Sequence, residues 1–177
     1  MKKLGFGFMR LPVLDANDAS KVDFDLLCKM VDTFMERGFT YFDTAYMYHN
    51  FESEKAVKKI LTSRIDREKF LLATKLPTPR LEVPEDMERI FREQQEKCGA
   101  EYFDYYLLHA LNARSYELAT RLGAFDFILQ KKAEGKVKHF GFSFHDTADI
   151  LDKILTEYPQ LEVVQLQFNY FDYETRF

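Results

Sequence analysis

The stretch LGFGFMR (residues 4–10) decides between two folds for this chain. It is a short apolar run carrying two glycines, the composition of a buried strand leading into a turn. A dinucleotide-binding turn after a first strand needs three glycines, spaced G-x-G-x-x-G, so that the backbone can approach a pyrophosphate. Gly5 and Gly7 hold the first two places, but Arg10 stands in the third. The doubly wound reading therefore loses its best motif.

Beyond this stretch two periods alternate along the chain. Over residues 22–37, Leu26, Leu27, Met30, Val31, Phe34 and Met35 recur at helical spacing, and Gly38 supplies a stop. TYFDTA (40–45) reads as a strand, and residues 53–61 as a short helix. FLLATKL (70–76) is the next strand. After it, Pro84 sits where a first helical turn tolerates proline, and Met87, Ile90, Phe91 and Cys98 precede Gly99. YFDYYLLH (102–109) predicts a fourth strand, followed by one helix over 116–134 closed by Gly135. KHFGFSF (138–144) is a fifth. Asp146 or Thr147 is placed to cap a helix bearing Ile150, Leu151, Ile154 and Leu155, and VVQLQFN (163–169) is a sixth strand.

Strands alternating with helices point to parallel β/α units, and continuous apolar strands fit a sheet buried on both faces. The class is α/β. The architecture expected is a (β/α)8 barrel of the TIM type, truncated to about six β/α units, because such a barrel usually needs about 250 residues and the sequence has 177. No linker or low-complexity tract divides it, so residues 1–177 read as one incomplete barrel domain.

Composition excludes several classes. A net charge of −4 spread over both signs argues against a nucleic-acid footprint, and no basic run suggests a membrane surface. The start MKKLGFGFMRLP has two lysines before an apolar run, but Arg10 breaks that run too early for a signal peptide. Cys28 and Cys98 lie far apart within helical patterns, as reduced thiols would. A cytoplasmic location is the expectation.

The chemistry lies at the strand ends. The second strand ends on Asp43 with Tyr48 in the following loop, the third carries Lys75, the fourth ends on His109, the fifth reaches Ser143 and the sixth carries Gln165. In a barrel those ends converge on one face, where active sites lie. Singly, each residue has a bland explanation: a turn aspartate, a solvated lysine, a core histidine, a packing tyrosine. Together they are complementary. A lysine ammonium about 4 Å from a phenol, at an effective dielectric of about 20, is worth about 4 kcal/mol, enough to tune a tyrosine as a proton donor. Asp43 can hold that lysine, and a neutral His109 can orient a carbonyl oxygen. Proton donation to a carbonyl is half of a reduction. The hydride must come from a nicotinamide, whose carboxamide Ser143 and Gln165 have the character to bind.

The runs FDTAYMY followed by SE, ATKLP, LLHALN, GFSFHD and VQLQFN, in this order, resemble the aldo-keto reductase family over essentially the whole chain. The resemblance implies a (β/α)8 barrel that uses NADP(H), with NAD(H) as the alternative, to reduce an aldehyde or ketone. It assigns Asp43, Tyr48, Lys75 and His109 to a catalytic tetrad with Tyr48 as general acid. It places Met9, Arg10, Asp43, Ser143 and Gln165 at the cofactor. The family often has Ser-Asn after the fifth strand, whereas Phe144 follows Ser143 here. The wording is most similar to a subgroup whose longer members end in an iron–sulfur module. Neither cysteine here has cluster-ligand spacing, and no metal site is expected. The seventh and eighth strands, whose loops hold the pyrophosphate in this family, are not in the sequence.

Competing expectations follow. The chain is a reductase acting on a small carbonyl substrate, or an inactive barrel fragment that self-associates; for the chain as such, exposed barrel edges make a homo-oligomer the expectation. A Schiff-base aldolase using Lys75 leaves Asp43, Tyr48 and His109 without roles. A metal hydrolase is disfavoured because His49, His109, His139 and His145 show no ligand spacing.

Overall fold

The computed structural model describes residues 2–169. Its six strands are β1 (Gly5–Gly7), β2 (Tyr41–Asp43), β3 (Leu71–Leu76), β4 (Phe103–Leu111), β5 (Val137–Phe144) and β6 (Val163–Leu166). They form one sheet in the order β1-β2-β3-β4-β5-β6, every pair parallel. A doubly wound sheet reverses its strand order at a switch point; this one never does. The sheet also curls. Gln165 on β6 donates from Nε2 to Asp43 Oδ2 on β2 at 3.2 Å. On a flat sheet, strands four places apart would stand about 19 Å from each other. Six units therefore form an open segment of a (β/α)8 barrel.

The helices are α1 (Phe24–Glu36), α2 (Ser53–Val57), α3 (Glu85–Cys98), α4 (Ala113–Leu122), α5 (Ala124–Ala133) and α6 (Ala148–Glu157), with α2 continued by a π-helical turn over Lys58–Thr62. The Asp23 side chain caps α1 by accepting from Leu26 N, and Leu27, Val31 and Phe34 form its buried stripe. α3 buries Met87, Ile90, Phe91, Gln94 and Cys98 on one face. Where one helix was expected over 116–134 there are two. Gly123 adopts φ 76°, in the left-handed region that ends α4, and the chain restarts as α5 one residue later. α4 instead begins earlier, at a capping box between Asn112 and Ser115. Neither expected cap of α6 works through its side chain. Thr147 makes no side-chain cap bond, and Asp146 accepts from Thr147 N and from Ala113 N, tying the end of β5 to the start of α4.

The core lies between the outer sheet face and the helices. Phe42, Phe8, Phe34 and Phe70 cluster over β1 and β2, and Phe91, Phe103 and Tyr106 over β4. Gly141 is required where β5 meets β6: a Cβ there would stand 1.8 Å from Val163 O. Among the described residues, no helix is long and apolar enough to cross a membrane.

Candidate active site

Strand register alone gathers the polar strand-end residues on one face. Asp43 pairs with Ala73, two before Lys75; Lys75 pairs with Leu107, two before His109; Leu107 pairs with Gly141, two before Ser143; Ser143 pairs with Gln165. Alternate residues share a face, so Asp43, Lys75, His109, Ser143 and Gln165 all project into the barrel interior. Lysine has no place in a dry core without partners, and Lys75 is fully buried. It has three acceptors: Asp43 Oδ1 at 2.7 Å, Asp43 Oδ2 at 2.9 Å and the Thr44 carbonyl at 2.9 Å. All three ammonium protons are thereby spent. The lysine meets Tyr48 through space, Nζ lying 4.6 Å from the ring centroid.

Tyr48 also packs edge-on against His109, with ring centroids 5.5 Å apart at 80°. His109 is buried, its Nδ1 has no hydrogen-bond partner among the described residues, and its pKa is pushed down to about 3. Desolvation is the main cause, followed by the nearby Lys75 and His145 charges. The imidazole is therefore neutral at physiological pH and keeps one N–H to donate. An orphaned buried ring nitrogen costs roughly 1–3 kcal/mol, a cost tolerated at sites built for a ligand.

The fourth strand does not stop at His109. It continues to Leu111 across a register shift against β5 between Leu108 and Leu111. This bulge holds Ala110 at φ 56°, left-handed and unusual for alanine. Two serines satisfy the displaced peptide: Ala110 N donates to Ser143 Oγ at 2.8 Å, and Ser115 Oγ donates to Ala110 O at 2.9 Å. Ser143 thus fixes the backbone beside His109 while its own hydroxyl hydrogen has no acceptor among the described residues. That hydrogen and the Gln165 side-chain oxygen, adjacent across β5 and β6, form the donor and acceptor set that a carboxamide requires. Phe144 takes the alternate face and is buried in the core, so it offers no polar atom to the site. Met9 and Arg10 follow β1 and are exposed.

Sequence reasoning missed the scaffold beneath these residues. Ser53 Oγ donates to Phe8 O at 2.9 Å and lies 2.6 Å from Thr44 Oγ1, joining the loops after β1 and β2. Glu54, buried, accepts from Thr74 Oγ1 at 2.7 Å and Gln94 Nε2 at 2.6 Å; burial raises its pKa. Gln94 Nε2 also reaches Lys75 O at 3.1 Å. The run SE after Tyr48 was the available signal. Equally unexpected is the turn after Tyr48, where His49, Asn50 and Phe51 all have positive φ (49°, 53° and 69°). Left-handed backbone costs roughly 1–2 kcal/mol per ordinary residue, so this turn needs anchors. No group of three or more His, Cys, Asp or Glu side chains able to hold a metal ion occurs among the described residues.

The model of the aldo/keto reductase family matches residues 3–176. No curated protein matches the chain. Among solved structures it is similar to an aldo-keto reductase from Bacillus halodurans in its holo form, at 23% identity and TM-score 0.69, over 93% of this chain and 53% of that one. It is similar to an aldo/keto reductase from Brucella melitensis at 26% identity and TM-score 0.65, over 93% of this chain and 57% of that one. A third similar structure is an aldo-keto reductase from Klebsiella pneumoniae in complex with NADPH, at 20% identity and TM-score 0.66, over 93% and 53% of the two chains. The chain thus spans a little over half the length of these structures.

Proposed function

Because the chain belongs to the aldo/keto reductase family, we propose that its interior face reduces a small aldehyde or ketone to an alcohol. The observation that carries this reading is the buried Lys75, held by Asp43 and Thr44 and set over the Tyr48 ring that His109 borders. A nicotinamide, NADPH by analogy with the Klebsiella pneumoniae structure and NADH as the alternative, supplies the hydride when bound. Ser143 and Gln165 hold its carboxamide, with Asp43, Met9 and Arg10 along the same face. Tyr48 gives its hydroxyl proton to the carbonyl oxygen. Lys75 stabilises the phenolate left behind, because a fixed ammonium in a dry site costs no reorganisation. Asp43 holds that ammonium in place. Neutral His109 donates an N–H to the same carbonyl oxygen and orients it.

Fluorescence titration with NADPH and NADH, followed by a carbonyl screen that reads cofactor oxidation, tests this proposal. Saturable micromolar binding with turnover is the expected result; no binding up to millimolar cofactor defeats it for this chain.

A second reading draws on the outer edge of the sheet. Leu4, Leu26 and Met30 are 55%, 46% and 43% exposed beside Phe6 and Phe34, an apolar groove along β1 and α1. On this reading the chain is an inactive barrel fragment that self-associates through its edges as a homo-oligomer. Light scattering over a concentration series tests the second reading. A monomer at every concentration removes the second reading.

A further inference from the structure

We infer that His49 is a positioning residue that couples the loop after β1 to Tyr48. The inference rests on the reading of Tyr48 as proton donor. The segment between β1 and α1 is not a slack connection. It folds back on itself, with Val13 bridged antiparallel to Val22, Leu14 N donating to Lys21 O at 2.8 Å and Asp23 N donating to Pro12 O at 2.9 Å. The His49 ring joins the entry of this small hairpin to its tip. Leu11 N donates to Nδ1 at 3.3 Å, and Nε2 lies 2.7 Å from Ala19 O. An accepting Nδ1 assigns the proton to Nε2, which donates to Ala19. One imidazole therefore satisfies a donor at the entry of the hairpin and an acceptor at its tip.

This grip falls at the first of the three left-handed residues, immediately after Tyr48. The far end of the turn has its own anchor, Phe51 packing edge-on against Tyr46 at 5.7 Å with the Arg80 guanidinium 5.4 Å from its ring centroid. Tyr48 itself is held by its backbone, N to Ala45 O and O from Ser53 N. The chain leaves Tyr48 through three left-handed residues, and His49 ties the first of them to the loop after β1. Leu11 directly follows Met9 and Arg10, which border the proposed cofactor position. Contacts at that loop are thereby transmitted to Tyr48 through the imidazole.

His49→Ala removes both bonds, whereas the amide of His49→Gln can accept from Leu11 and donate to Ala19. The tyrosine-ring proton–carbon NMR spectrum, with the Tyr48 signal identified by Tyr48→Phe, reads ring position without needing activity. We expect the Tyr48 signal to leave its place beside His109 in His49→Ala and to return in His49→Gln. In turnover, kcat should fall about tenfold or more in His49→Ala with KM for the carbonyl little changed, and His49→Gln should recover most of it. An unmoved Tyr48 signal in His49→Ala, or equal displacement in both variants, overturns the inference. If His49→Ala does not fold, His49→Gly, which tolerates the left-handed backbone, serves the same comparison. An inactive parent would defeat the proposed function, and the ring spectrum would still decide the role of His49.

Discussion

Lowering the pH from 8 to 5 should destabilise the parent protein about 2 kcal/mol more than it destabilises His109→Gln. His109 is buried, and its pKa is pushed down to about 3, whereas the unfolded side chain titrates near 6.5. Between those values the unfolded chain binds a proton that the folded chain refuses, so stability rises with pH. The full stability is present above the unfolded value. It is lost as pH falls, and the loss levels off near the folded value. At pH 5 the displacement amounts to about 1.5 units, at 1.36 kcal/mol per unit. At pH 3, where the folded imidazole is itself half protonated, the same arithmetic gives about 4 kcal/mol. The assay is urea unfolding of parent and variant at matched pH values. Carboxylates common to both cancel in the difference, and glutamine keeps a polar side chain that does not titrate. Two stability curves that stay parallel from pH 8 to pH 5 would refute the burial argument. The same depression predicts that turnover has no limb near pH 6.5 arising from His109.

Tyr48→Phe should abolish carbonyl reduction while leaving cofactor affinity and the melting transition unchanged; a variant as fast as the parent removes the assigned role. Lys75→Met leaves the Asp43 carboxylate in the interior without its cation and should cost about 3–5 kcal/mol in urea unfolding. Adding Asp43→Asn should recover part of that loss, and strict additivity of the two changes would contradict the pairing. Gly141→Ala sets a Cβ 1.8 Å from Val163 O. It should destabilise the protein by at least about 3 kcal/mol and speed amide exchange along β6. Unchanged exchange there would show that β5 and β6 are not paired in this register.

What could be read from the sequence was what depends on local period and on polar interruptions of it. Continuous apolar runs at 70–76 and 102–109 marked strands buried on both faces, and Arg10 in place of a third glycine weakened the doubly wound alternative, which the unreversed strand order then excluded. Asp43, Lys75, His109, Ser143 and Gln165 stood out because each is a polar residue within or ending an apolar run, and strand alternation then sets all five on one face. Helix continuity was less legible: nothing local to residues 116–134 showed whether Gly123 would be carried inside one helix or take the left-handed conformation that ends it.

Only the tertiary structure decided how these groups are satisfied. The three acceptors of Lys75 include a backbone carbonyl, Thr44 O, which no side-chain pattern announces. The bulge at Ala110 arises from a register mismatch between two strands, so its repair by Ser143 and Ser115 is invisible until both strands and α4 are in place. His49 looked like one of four scattered histidines; its two bonds span 38 and 30 residues of chain. The sequence by itself determined the order of strands and helices and the chemical types of the site residues, because periodicity and residue type are local properties. Strand curvature, the orphaned Nδ1 of His109 and the grip of His49 belong to the tertiary structure, because each depends on distances between segments far apart in the chain.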